Sequence, residues 1–273
     1  MTTPHMATLA ISLDQGIARI ALNRPDKANA INLRMWDELR EAMRWLGRTD
    51  AARVGILEAR GRHFCAGLDL ATFDELRQLT SDTCEGRSRE RLREHILDIQ
   101  DTVTAIERCA KPVIASVHAA CVGGGIDIIA ACDLRYASAK AWFCVKEIDV
   151  GLVADVGTLQ RLPRLVGEGL AREMAFTGRR VDGTEAQAMR LVNRCFDSDQ
   201  ALADGVTEVA RTLAAKSPLA LRGTKHMLNH ARDHRIADGL DHVATWNAAM
   251  LYSQDLDEAV AAAREKRPPV FRD

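Results

Sequence analysis

His118-Ala119-Ala120-Cys121-Val122-Gly123-Gly124-Gly125-Ile126-Asp127-Ile128-Ile129-Ala130-Ala131-Cys132-Asp133 runs from apolar β-type residues through three glycines into an apolar helical stretch. A strand, a glycine turn and a helix start in succession form a corner where free backbone N–H groups and the helix dipole favour negative charge. The glycines admit two readings, a tight strand-to-helix turn or a backbone N–H left free to stabilise a developing oxyanion. Neither Gly-x-Gly-x-x-Gly nor Gly-Lys-Ser/Thr follows, which argues against a dinucleotide or nucleoside triphosphate site.

Working outward, Pro112 to His118 reads as a buried strand and Leu97 to Arg108 as an amphipathic helix. Thr80 to Leu92 is polar and reads as a surface loop or helix start. Thr8 to Leu13 and Ile17 to Leu22 flank Asp14-Gln15-Gly16 as a hairpin, with Asn23-Arg24-Pro25-Asp26-Lys27 breaking the pattern behind it. Asn32 to Gly47 has helical spacing, with Asn32 as N-cap and Gly47 as stop, and Val54 to Glu58 is a buried strand. Leu134 to Ala137 and Trp142 to Val145 are further strands, while Ser198 to Arg264 is almost entirely helical. The expected organisation is α/β: a core over 1–200 and a helical region over 201–273 that packs on the core or on a neighbouring subunit.

The chain has 273 residues, ample for a full-sized core, and its formal net charge of -1 offers no general attraction to polyanions. With aromatics at only 4%, base stacking is a poor reading and nucleic acid an unexpected partner. The seven cysteines are scattered without a Cys-x-x-Cys spacing, which fits a reducing compartment rather than a disulfide framework or zinc knuckle. No metal-ligand cluster is expected. Met1 to His5 does not resemble a leader, Val270 to Asp273 carries no peroxisomal or retention signal, and no apolar run is long enough to span a bilayer, so the expectation is a cytoplasmic protein.

A second glycine turn, Phe64-Cys65-Ala66-Gly67-Leu68-Asp69-Leu70, follows the strand ending near Glu58 and can present another N–H to the same point. Taken with Asn23-Arg24-Pro25 and the segment His118 to Gly125, it resembles the crotonase, or enoyl-CoA hydratase/isomerase, superfamily over nearly the whole chain. The resemblance implies a spiral of ββα units, a homotrimer or dimer of trimers built through the C-terminal helices, and an acyl-coenzyme A thioester as substrate. No separate cofactor is implied, because coenzyme A is part of that substrate. It assigns the oxyanion hole to the N–H groups of Leu68 and Gly124, and brings the main chain of Cys65, Ala66, Gly67, Leu68 and Asp69 against the adenine end of the ligand. Lys225 becomes a candidate phosphate contact, with a solvated surface lysine as the other reading.

The acids resemble one branch of that superfamily. Val145 to Pro163, with Gly125-Ile126-Asp127 upstream, Ile106 to Ala115 and Val243 to Asn247, is similar to the dienoyl-CoA isomerases, which convert 3,5-dienoyl-CoA to 2,4-dienoyl-CoA. Hydratases of the superfamily hold a water between two glutamates; the matching positions here are Asp127, shorter by a methylene, and Glu147, and Asp155 stands where a glycine is usual. Moving two double bonds requires proton removal at C2 and delivery at C6, too far apart for one carboxylate. The resemblance thus implies Glu147 as base and Asp155 as acid, or the reverse, with Asp127 tuning the pair. Enoyl-CoA hydratase is the alternative activity, and a non-catalytic RNA- or protein-binding relative the alternative class. His63, His118, Cys65 and Cys121 read as structural, and the acyl-chain end of the pocket as built from Phe73 to Glu94.

Overall fold

The computed structural model describes residues 3–272; Met1, Thr2 and Asp273, at the ends read above for targeting signals, lie outside the described residues. The antiparallel hairpin of β1 (Leu9–Asp14) and β2 (Ile17–Leu22) starts a six-stranded sheet that continues in parallel through β3 (Val54–Ala59), β4 (Val113–Val117), β6 (Leu134–Ser138) and β9 (Arg194–Phe196). A second sheet of three strands joins β5 (Ala120–Val122), β7 (Trp142–Cys144) and β8 (Val181–Asp182). Leu134 to Ala137 and Trp142 to Val145 thus form strands as expected, but in different sheets.

Residue alternation decides which face each strand offers to which layer. Ala18, Ile20 and Leu22, Leu57, and Val113, Ala115 and Val117 point into the main core, where α1 (Leu33–Arg48) packs Leu39, Met43 and Leu46. Ile17, Val54, Ile56 and Ile114 point the other way and are covered by Leu202, Val206 and Ala210 of α8 (Asp199–Ala214). That i, i+4, i+8 stripe places the first helix of the expected C-terminal region on the core sheet itself. The following helices, α9 (Pro218–Asp233), α10 (Ile236–Met250) and α11 (Gln254–Glu265), bury few side chains.

Two local expectations need correction, and one left open between a loop and a helix start is resolved. Helix α1 is capped by Asn32, whose side chain accepts from the Met35 N–H, but it runs through Gly47 and stops at Thr49, so the glycine is not the terminator. The polar stretch from Thr80 is not one loop: α2 (Ala71–Thr80) ends there, and α3 (Glu85–Arg108) absorbs the rest. Asp82 nucleates that start by accepting from the Cys84 N–H and pairing with Arg87 and Arg91. Finally, the approach to the glycines is two strands: Ala119, with φ of 49°, redirects the chain from β4 in the large sheet to β5 in the small one.

Candidate active site

The two glycine turns meet. Cys65 and Cys121 form a parallel bridge in which the Cys65 N–H donates to Ala120 O at 2.9 Å and the Val122 N–H donates to Cys65 O at 3.0 Å. Leu68 and Gly124 each stand three residues beyond that bridged pair, so the two turns run side by side in register. Each is preceded by a glycine with positive φ, 96° at Gly67 and 52° at Gly123, a conformation that rotates the next peptide and that L side chains rarely adopt. A Cβ on Gly67 would lie 3.4 Å from Val122 O, which shows how closely the turns pass.

On its other side the first turn bridges Ile31, whose N–H donates to Gly67 O and whose carbonyl accepts from the Asp69 N–H. Parallel pairing that uses the groups of residues 67 and 69 turns the Leu68 N–H away from Ile31, and among the described residues it has no acceptor. Gly124 opens α4 (Gly124–Ala130), where first-turn N–H groups lack partners within the helix. Two unspent donors therefore stand in equivalent positions on adjacent segments. The Asn23-Arg24-Pro25 break braces the first turn: Arg24 pairs with Asp69 at 3.0 Å, and the buried Asn29 side chain donates to Arg60 O and His63 O.

Both donors open on a cavity of about 530 Å³ lined by Trp36, Ala66, Gly67, Leu68, Gly123, Gly124 and, deeper, by Phe73, Leu76, Ile96 and Ile99. Asp127, Glu147 and Asp155 share its otherwise apolar wall. Cys65 and Asp69 are not among the residues lining it: the first is fully buried with its backbone in the bridge, and the second faces Arg24. The Phe73 to Glu94 stretch contributes Phe73, Leu76, Arg77, Thr80 and Leu92 to the wall.

The three acids differ in environment. Asp127, 1% exposed, accepts from the Thr158 N–H at 2.6 Å and the Thr158 hydroxyl at 2.7 Å, capping α5 (Thr158–Val166). Burial pushes its carboxyl up to about 7, helped by the negative charges of Glu147 and Asp155 and opposed by the Thr158 bonds. Glu147 follows β7, in a 3-10 turn; desolvation raises its pKa, with Asp155 adding to the rise and backbone N–H groups working against it. Its Oε2 is buried without a hydrogen-bond partner among the described residues, and a Cβ on Gly123 would sit 3.2 Å from its Oε1. Asp155 is the most exposed of the three, and partial desolvation still raises its pKa.

Lys225 answers to neither expectation. Only 6% exposed, it donates to Asp133 Oδ2 at 2.7 Å, Lys111 O at 3.1 Å and Ile106 O at 3.2 Å, so its three protons are spent in an internal ion pair tying α9 to the core. His118 bonds Gly61 O, and Cys65 and Cys121 are buried with raised pKa values, as structural readings require. Sequence reasoning missed Trp36, Thr158 and Gln100.

This architecture is the crotonase fold. The structure of an enoyl-CoA hydratase from Bacillus anthracis superposes with a TM-score of 0.87 at 29% identity, covering 97% of this chain and 99% of that one. The enoyl-CoA hydratase/isomerase family model matches residues 12–273, and the chain belongs to that family. It is 46% identical over 275 residues to a peroxisomal Delta(3,5)-Delta(2,4)-dienoyl-CoA isomerase of Arabidopsis thaliana, covering 99% of each protein. It is 42% identical over 259 residues to the mitochondrial Delta(3,5)-Delta(2,4)-dienoyl-CoA isomerase of Homo sapiens, covering 94% of this chain and 78% of the relative. Among the described residues no helix is long and apolar enough to cross a membrane.

Proposed function

We propose that this protein is a dienoyl-CoA isomerase that shifts the double bonds of a 3,5-dienoyl-CoA to the 2,4 positions. The observation that carries the reading is one apolar cavity holding two unspent N–H donors in register at one end and three desolvated carboxyls along its wall. The identities to named isomerases, 46% and 42%, exceed the 29% to the hydratase structure. Asp127 also favours it over a hydratase: Asp127 Oδ1 is engaged by Thr158, which suits a residue that positions and tunes better than one sharing a nucleophilic water with Glu147.

The thioester carbonyl accepts from the Leu68 and Gly124 N–H groups. In its ionised form Glu147 takes a proton from C2; the pair of the broken C–H bond forms C1=C2 while the carbonyl pair moves onto the thioester oxygen, giving an enolate conjugated with the C3=C4 and C5=C6 double bonds. Each donor of such a hole is worth on the order of 3 kcal/mol of barrier. In its protonated form, which desolvation favours, Asp155 delivers a proton to C6; the carbonyl re-forms, C1–C2 becomes single again, and the double bonds shift to C2=C3 and C4=C5 in conjugation with it. Glu147 then holds the proton from C2, and exchange through solvent restores both acids. The allocation rests on Glu147 lying beside Gly123, the residue before one of the two donors, which suits it to C2 and leaves Asp155 for the more distant carbon.

A homotrimer or dimer of trimers is supported by apolar side chains left exposed on and beside the C-terminal helices, including Leu228 at 68%, Ile236 at 84% and Tyr252 at 93%. The seven free cysteines support a reducing compartment, read as cytoplasmic from the sequence, where the relatives above are peroxisomal and mitochondrial; fractionation of the source cells distinguishes these. The activity is tested by following conjugated dienoyl absorbance with 3,5-octadienoyl-CoA as substrate. The expected result is conversion by the wild type, abolished by Glu147→Gln and lowered by about 10²- to 10⁴-fold to a measurable residue by Asp155→Asn; hydration of 2-enoyl-CoA with no diene conversion overturns the reading.

A further inference from the structure

Behind the wall that carries Asp155 lies a second, polar cavity of about 330 Å³ whose lining includes Gln100, Thr104, Glu107, Gly157, Arg161 and Arg232. The two cavities share Val156, so the segment between Gly151 and Gly157 is a partition with substrate space on one side and charged groups on the other. This segment has no strand or helix to hold it. It is held instead by side chains. Gln100 Nε2 donates to the Asp155 carbonyl at 2.6 Å, and Arg161 Nη1 donates to the Val156 carbonyl at 3.4 Å. Two residues on, the Thr158 N–H is fixed to Asp127 at 2.6 Å.

Arg161 is itself fixed. Its Nη2 lies 2.9 Å from Glu107 Oε2, and Arg232 Nη1 of α9 reaches the other carboxylate oxygen at 2.6 Å. Burial works against the charge on Glu107, yet the two guanidiniums hold its pKa below the usual carboxylate range. The guanidinium of Arg161 lies so close over Gly157 that a Cβ there would come within 1.7 Å of Nη1. The Arg161 and Glu107 side chains are 15% and 13% exposed, and a pair this buried is a poor source of stability, since apolar replacements often serve as well. Its geometric output, a backbone held at the carbonyl of the acid itself and at that of the next residue, is better matched to holding that acid in place.

We propose that Gln100 and Arg161, the latter through Glu107 and Arg232, are positioning residues for isomerisation: they fix the main chain of Asp155 so that its carboxyl meets the far end of the diene. This rests on the reading of Asp155 as the proton donor at C6. Neither residue touches the substrate. Proton delivery depends on placement within fractions of an ångström, and a displacement of about 1 Å from a remote change lowers a rate on the order of 100-fold. The brace also couples the C-terminal helix α9 to the site through Arg232.

The test uses the full-length enzyme with Gln100→Leu, Asp155→Asn and the double variant, with circular dichroism as a check of folding; Gln100→Met replaces Gln100→Leu should the latter not fold. Isomerisation is measured by absorbance, and exchange of the C2 proton with D₂O by NMR. The expected result for Gln100→Leu is a kcat lower by about 10- to 100-fold with KM unchanged and C2 exchange retained, and no further loss when it is combined with Asp155→Asn. Wild-type kcat in Gln100→Leu, equal loss of C2 exchange and isomerisation, or multiplicative losses in the double variant overturn the positioning role. Wild-type isomerisation by Asp155→Asn removes the proton-donor reading beneath it, a different failure from that of Gln100 alone.

Discussion

Replacing Asp127 with asparagine isolates what it takes to keep a carboxylate in this wall. The amide side chain of Asp127→Asn keeps an oxygen that can accept from both Thr158 donors, so the cap on α5 survives while the charge is removed. Raising the Asp127 carboxyl from 3.8 to about 7 in the fold corresponds to about 4 kcal/mol. The folded state holds this proton more tightly than the unfolded chain does. The group's contribution is therefore fully present below pH 4 and is lost as pH rises toward 7. Urea unfolding followed by circular dichroism, at one protein concentration and in steps from pH 4 to pH 8, measures it. The stability of Asp127→Asn relative to wild type should grow by about 4 kcal/mol across that range, with most of the change between pH 4 and 7. A difference that stays flat with pH refutes the claim that the carboxylate is desolvated and crowded by Glu147 and Asp155.

Three further outcomes are expected. Gly124→Ala places a Cβ 3.0 Å from Ile31 Cδ1 and 3.3 Å from Trp36 Cζ2, which moves the peptide bearing the second donor; kcat should fall by about 10²- to 10³-fold in the absorbance assay, with the fold intact by circular dichroism. Lys225→Met removes the buried partner of Asp133, itself 27% exposed, and leaves the Ile106 and Lys111 carbonyls without that donor; it should destabilise by about 1 to 3 kcal/mol in urea unfolding, with part of that loss recovered in Lys225→Met/Asp133→Asn. His230 stacks between His234 and His242 with ring centroids 3.8 Å and 4.0 Å away, and partial desolvation followed by these neighbours lowers its pKa. Its contribution is present above the ordinary histidine range and lost on acidification, so thermal unfolding should weaken from pH 7 to pH 5.5 in the wild type and less in His230→Ala.

What was legible in the sequence and what was not divides along physical lines. Alternation in Ile17 to Leu22, the cap at Asn32 and the glycines before Leu68 and Gly124 are local signals, because each follows from a residue's own conformational preference or its neighbours' spacing. The in-register meeting of the two turns is not local: it depends on the bridge between Cys65 and Cys121, 56 positions apart, and on Ala119 moving the chain between sheets. The same holds for Lys225, an unremarkable lysine in sequence whose burial arises only because α9 returns over Asp133. Asp127, Glu147 and Asp155 were found through a resemblance. Their shared desolvation and the spending of Asp127 on Thr158 are tertiary facts. Gln100 shows the limit most clearly, since its partner is a backbone carbonyl 55 positions away and no side-chain pattern announces such a bond.

The central claim, that one carboxylate takes a proton at C2 and a different one supplies C6, is tested most directly by running the wild-type reaction on 3,5-octadienoyl-CoA in D₂O and locating the label in the product by NMR. The two-acid account predicts a 2,4-dienoyl product with deuterium at C6, because the donor has exchanged with solvent. A product with no deuterium at C6, its second hydrogen there carried from C2 by a single group, or one hydrated at C3, contradicts it.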